Sequence, residues 1–208
     1  MNPLKQFQNL EKDEQVGFAA VGCMIFASII YNWQIFTGQS APSVVSWAIW
    51  GSMTILNFTS IKKMTGDWLV SLLPTINSAL CIFTLCAVSK NYYYSGKCAA
   101  PTPYDGAVLV IGLIAVICWK LFNATVAQFF LQLGLIIGFI TTYTSVWYHP
   151  GSEMVAAWII WTIGFAFQEW LVTLRWKRDS EKAGWMDMAY PLNGLVNHLA
   201  VTLIILLR

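Results

Sequence analysis

Val44-Val45-Ser46-Trp47-Ala48-Ile49-Trp50 returns 111 positions later as Val155-Ala156-Ala157-Trp158-Ile159-Ile160-Trp161. Each copy lies just past a proline, Pro42 or Pro150, and each opens an apolar run. A fixed displacement between two apolar segments marks an internal duplication, and many membrane transporters are built from repeats. The same offset pairs Asn57 with Gln168. After the loop that follows the second copy the offset grows to 120, and it then pairs Asp67 with Asp187 and Asn77 with Asn197.

The totals agree with a chain embedded in a lipid bilayer. Of its residues 57% are hydrophobic and 11% charged, and mean hydropathy is +0.59, whereas a soluble domain carries about 25% charged residues. A spanning helix needs roughly 20 apolar residues, so 208 residues hold about seven spans with short loops. The net charge is +2 and no basic cluster interleaved with aromatics stands outside the apolar runs, so no nucleic-acid partner is expected. Cys23, Cys81, Cys86 and Cys118 lie inside apolar runs and Cys98 alone lies in a loop, which argues against a disulfide framework.

Apolar runs predict spans at 16–36, 43–61, 68–89, 106–122, 124–147, 154–174 and 188–207. The expected fold is therefore an all-α integral membrane protein of seven transmembrane helices. Residues 1–15 form a cytosolic segment, 16–89 a first three-helix bundle, 90–123 a loop and linker helix, and 124–208 a second three-helix bundle. An odd number of spans separates the copies, so the two bundles run parallel, in a 3+1+3 arrangement. Lys5, Lys12, Lys62, Lys63, Lys120, Arg175, Lys177, Arg178 and Lys182 fall on one side, against Lys90, Lys97 and Arg208 on the other. The positive-inside rule then puts the N-terminus in the cytoplasm and the C-terminus outside. Tyr92, Tyr93 and Tyr94 are expected in the loop after the third span, at headgroup level.

A parallel 3+1+3 layout in about 200 residues resembles the SWEET and PQ-loop superfamily of small transporters, and the PnuC-type vitamin transporters are similar in layout. The resemblance is carried by Thr75-Ile76-Asn77 in the third span, by its match Asn197, and by Pro150-Gly151-Ser152-Glu153 followed by Trp158. The signature Pro-Gln pair is absent, since Trp33 precedes Gln34. The resemblance implies a transporter whose matched asparagines contact the solute. KDEL-type receptors resemble SWEETs in layout, so a cargo or ligand receptor is the alternative.

Residues three and four apart share a helix face, so Trp47, Trp50, Gly51, Thr54, Asn57 and Phe58 form one stripe. Trp158, Trp161, Thr162, Phe165, Gln168 and Glu169 form its counterpart. A lipid-facing stripe would be plain aliphatic, so both should face the interior. Asn77 and Asn197 each lie ten residues past an aspartate, about 15 Å from the cytoplasmic end and near the midplane. Two facing amides can hold a hydroxyl-rich solute without desolvating a charge, and indole rings offer it flat apolar walls. The alternative is that the asparagines only join helices.

Trp50 and Trp161 lie deeper than Trp47 and Trp158, which could instead be interfacial anchors. Asn57 and Gln168 are candidates for the inner vestibule. Glu169 either pairs with the basic loop at Arg175 or serves as a protonatable group for proton coupling. His198 is a second such candidate or a hydrogen-bonded core histidine. Pro74 and Pro191 are hinge candidates or fixed kinks, and Pro42 and Pro150 start helices. Span seven has no mid-helix lysine for retinal, and no His-Glu-x-x-His or Gly-x-Ser-x-Gly motif occurs, so no enzyme, metal or cofactor is expected. The expected function is alternating-access transport of a small neutral hydroxyl-bearing solute, a sugar or a nucleoside-like vitamin.

Overall fold

A computed structural model describes residues 11–40, 42–96, 102–178 and 185–208. Expectations for residues 1–10, Lys97, Cys98 and Lys182 lie outside them. Among the described residues seven α-helices follow in order: α1 (Lys12–Phe36), α2 (Val44–Thr65), α3 (Trp68–Ser95), α4 (Pro103–Leu121), α5 (Ala124–Tyr148), α6 (Val155–Arg178) and α7 (Trp185–Leu207). Each is long and apolar enough to cross a membrane, and no strand occurs among the described residues. Even the shortest, α4, has 19 residues and rises about 28 Å, which matches a hydrocarbon core of about 30 Å. The protein is an all-α, multi-pass integral membrane protein.

Short polar side chains start the helices by accepting from free backbone N–H groups. Ser43 accepts from the Ser46 amide at 3.2 Å, and Asp67 from Leu69 and Val70 at 2.8 and 3.2 Å. Asn123 accepts from Val126 at 2.9 Å. Thr102 and Asp105 cap each other's backbone at α4, with Pro103 in its first turn. Gly66 and Gly96 end α2 and α3 with φ of 62° and 66°, a left-handed conformation that glycine alone adopts freely.

The structure departs from two expectations. Tyr92, Tyr93 and Tyr94 are not in a loop but in the last turns of α3, since the helix runs on until Gly96 can cap it; all three are exposed there. Of the two prolines expected to start helices only Pro150 does so, and its helix is a single 3-10 turn rather than α6. Pro42 precedes the capping Ser43, and Pro150 opens the 3-10 turn Pro150–Ser152 ahead of α6.

In the packing, α3 lies against both α1 and α2, and α7 against both α5 and α6. Two seams join these groups, α1 on α6 and α2 on α5. Exchanging α1, α2 and α3 for α5, α6 and α7 turns each of these pairings into another of the set. Helix α4 packs chiefly on α5; Gly112, Ala115 and Cys118 are buried, Gly112 beside Met53 of α2, and Leu113, Ile117 and Leu121 are exposed. Exposed Phe26, Ile29, Trp33, Phe83, Leu133 and Ile163 continue this apolar surface around the bundle, as contact with lipid requires.

Close packing of α6 on α7 depends on Gly194, where an added Cβ would stand 2.3 Å from Cε1 of the Phe165 ring. Gly194→Ala should force that ring aside and cost about 1–3 kcal/mol by overpacking. In detergent the midpoint of thermal unfolding should drop by about 2–4 °C per kcal/mol for a chain of this size. An unchanged midpoint would mean the helices separate freely.

Candidate solute-binding cavity

A cavity of about 700 Å³ lies among the helices. Its walls come mainly from α2, α5, α6 and α7, and it reaches the end of the bundle that holds Gly38, Gln39, Thr102 and Gly151. The repeated Trp-x-x-Trp element supplies much of the wall. Trp158 and Trp161 are both buried with ring centroids 5.2 Å apart, and Tyr31 of α1 lies 5.1 Å from Trp161 and 5.6 Å from Trp47. Phe139 stands edge-on to Trp50 at 4.7 Å. Such rings offer flat apolar faces to a ligand ring.

Polar groups are few and placed at different depths. Asn77 lines the cavity and donates to the Tyr190 hydroxyl at 3.0 Å. Asn193 also lines it and donates to the Gln132 side-chain oxygen at 2.8 Å. The ring of His198 faces it between Phe139, Trp161 and Phe165, and its Nδ1 lies 2.7 Å from the Gly194 carbonyl. At the open end, the Glu153 carboxylate accepts from Tyr31 at 3.0 Å, Ser40 at 3.2 Å and Trp158 at 3.4 Å. Burial pushes this carboxyl up to about 7, against the three donors, which favour its charged form. Among the described lining residues it is the one carboxylate, and none is lysine or arginine.

Beneath the cavity a chain of amides crosses from α2 to α5 and α7. Asn57 accepts from Gln128 at 2.6 Å and from Gln132 at 3.0 Å, Gln132 accepts from Asn193, and Asn193 accepts from Asn197. Tyr143 donates to Asn197. At the N-terminal end, Arg175 of α6 meets Asp13 of α1 at 2.9 Å and Asp67 at 3.5 Å, and Arg178 reaches Asp13 at 3.1 Å.

Of the residues expected from sequence, Trp50, Trp161, Asn77 and His198 line the cavity together. Asn197, Asn57 and Gln168 are buried but are not among its lining residues. The two matched asparagines therefore do not line the cavity together. Asn197 is turned into the amide chain, and Asn193, one turn earlier, takes the cavity position. Gln168 donates to the Val70 carbonyl at 2.9 Å, so it ties α6 to α3 rather than lining a vestibule. Glu169 is half-buried in α6 and the ion cluster holds Arg175 without it. Trp47 and Trp158 line the cavity too. Pro74 and Pro191 are buried inside α3 and α7.

Sequence reasoning missed Asn193, Tyr190, Tyr31 and Glu153 as site residues. Tyr190, Asn193, Asn197 and His198 share one helical stripe, a signal as clear as those read on the second and sixth spans. Glu153 stands out as an acid in the otherwise weakly charged segment between the fifth and sixth spans, five residues before Trp158.

Seven apolar helices around a cavity walled by aromatic rings and amides define a multi-pass membrane protein with an internal chamber. The chain matches no protein-family model, no curated protein and no solved structure.

Proposed function

We propose that this protein is a transporter, not an enzyme, for a small neutral hydroxyl-bearing solute such as a sugar or a nucleoside-like vitamin. Transport proceeds by alternating access between two three-helix bundles, α1–α3 and α5–α7, with α4 as linker, as in the SWEET and PQ-loop layout the sequence resembles. The observation that carries this reading is the cavity of about 700 Å³ inside a set of membrane-crossing helices, open toward one end of the bundle. Its volume lies within the range of small-molecule sites. The one-for-one correspondence of helix pairings supports the 3+1+3 repeat. The basic residues Lys62, Lys63, Arg175, Lys177 and Arg178 support a cytoplasmic N-terminus, which makes the open end the outer one. Pro74 and Pro191 would let α3 and α7 bend near that cytoplasmic side.

The lining chemistry narrows the solute. With no lysine or arginine among the described lining residues and Glu153 at the mouth, a phosphorylated or carboxylated solute would be desolvated without compensation. Asn77 and Asn193 can each bond a hydroxyl while indole rings stack on its carbon face. A receptor for a peptide or cargo terminus would present several charged groups instead.

Liposomes containing the purified protein should take up labelled glucose, sucrose or uridine, and should not take up glucose 6-phosphate. Asn77→Ala and Asn193→Ala should each weaken uptake by about 2–10-fold in half-saturation, the worth of one lost hydrogen bond of about 0.5–1.5 kcal/mol. Folded protein that moves none of the neutral solutes would sink this proposal and turn attention to a receptor role.

A further inference from the structure

The two seams that join the helix groups are related by the repeat but built from opposite materials. The middle of the α1–α6 seam is small and apolar, and toward the open end Tyr31 packs on Trp158 and Trp161. A Cβ on Gly164 would lie 3.2 Å from the Cys23 Cβ and 3.3 Å from the Ala20 carbonyl oxygen, and Ala20 and Ala27 are fully buried. It is also tied at both ends, by Arg175 to Asp13 at 2.9 Å and by Tyr31 to Glu153 at 3.0 Å.

The α2–α5 seam holds the cavity in one half and the amide chain in the other. The 111-residue offset puts Gly17 and Val21 on α1 where α5 has Gln128 and Gln132. Asn57 Nδ2 and Gln128 Oε1 are buried there with no partner among the described residues; unpaired amide oxygens also occur on α1 at Asn32 and Gln34 and on α6 at Gln168, of which Asn32 and Gln168 are turned to α3 through Thr84 and Val70. In a core that stayed dry, unpaired amide atoms are a standing cost that apolar residues would avoid. They suit a surface that is hydrated in another state of the same protein.

We propose that the α2–α5 seam is the inner gate and that the α1–α6 seam is the pivot about which it opens. Asn57, Gln128 and Gln132 then part toward the N-terminal face, become hydrated, and line the exit from the cavity floor at Asn193. This rests on the transport reading of the cavity and assigns its release path to one side of a pseudo-symmetric bundle.

Single cysteines test it in a chain whose five cysteines are replaced by serine. Sealed vesicles of each orientation are treated with a membrane-impermeant charged methanethiosulfonate, with Thr54→Cys marking the cavity. Thr54→Cys should react from the face opposite the N-terminus. Asn57→Cys and Gln132→Cys should react from the N-terminal face, at rates scaled by an open state populated at about 0.1–10%. Ala20→Cys should react from neither face. The inference is overturned if Asn57→Cys and Gln132→Cys stay inert from the N-terminal face while Thr54→Cys reacts, or if Ala20→Cys reacts as fast as they do. An inert Thr54→Cys would bring down the transport reading itself, and the gate with it.

Discussion

Arg175→Gln is expected to lower stability by about 3 kcal/mol, near the low end for breaking a buried ion pair. The reason lies with Asp13, which is 1% exposed and so has little access to water once its partner is gone. Arg175 also meets Asp67, the residue that caps α3, so one substitution loosens α1, α3 and α6 together. The loss stays near the low end because Arg178 still reaches the same Asp13 oxygen at 3.1 Å. Arg178→Gln should itself cost less than about 1 kcal/mol, since Arg178 is 54% exposed and its second partner Glu11 is 69% exposed. Thermal unfolding in detergent should therefore drop by about 6–12 °C for Arg175→Gln and by little for Arg178→Gln. Equal shifts for the two variants would refute the burial argument.

The second large effect is a pH dependence set by Glu153. Its folded-state pKa is raised from 4.5 to about 7, chiefly by burial. The folded protein therefore holds this proton more tightly than the unfolded chain does. The resulting stabilisation is fully present below about pH 4, the unfolded range, and is lost as pH rises through 7. At about 1.4 kcal/mol per pKa unit, the span amounts to about 3 kcal/mol. The unfolding midpoint of the parent should drop between pH 5 and pH 8, and Glu153→Gln should remove that part of the slope. A parent midpoint that rises over this interval, or a slope unchanged in Glu153→Gln, would rule out a buried carboxyl at this position. The group matters because it joins Tyr31 and Ser40 to Trp158 at the open end of the cavity. Its ionisation acts directly on the tie between α1 and α6.

Much of the architecture was legible because bilayers impose a length and a polarity on each span. Runs of about 20 apolar residues, broken by Ser43, Gly66, Asp67, Gly96 and Asn123, place seven helices nearly where they form. The misreadings were local. The third span extends past Tyr94 because nothing breaks the helix until Gly96 caps it. Pro42 precedes the capping Ser43 rather than starting α2, and Pro150 starts a 3-10 helix rather than α6.

The candidate site was half legible. Period-3.6 stripes correctly turned Trp50, Thr54, Trp161 and Phe165 inward, because a stripe that mixes rings and polar groups has no stable place against lipid. That pattern shows which face of a helix is internal but not which internal neighbour it meets. Asn193 and Asn197 lie one turn apart on the same stripe, and packing against α5 decides that Asn193 meets the cavity while Asn197 meets Tyr143. Asn57 and Gln168 occupy equivalent positions in the repeat, yet one joins an amide chain and the other a backbone carbonyl. The sequence by itself determined seven membrane-crossing helices and the inward faces of the second and sixth, since these follow from local hydropathy. Only the tertiary structure decided which polar groups share a cavity, that Glu153 stands at its mouth, and which seam is apolar and which is amide. Those outcomes depend on contacts between residues more than 50 positions apart, for which no local pattern carries a signal.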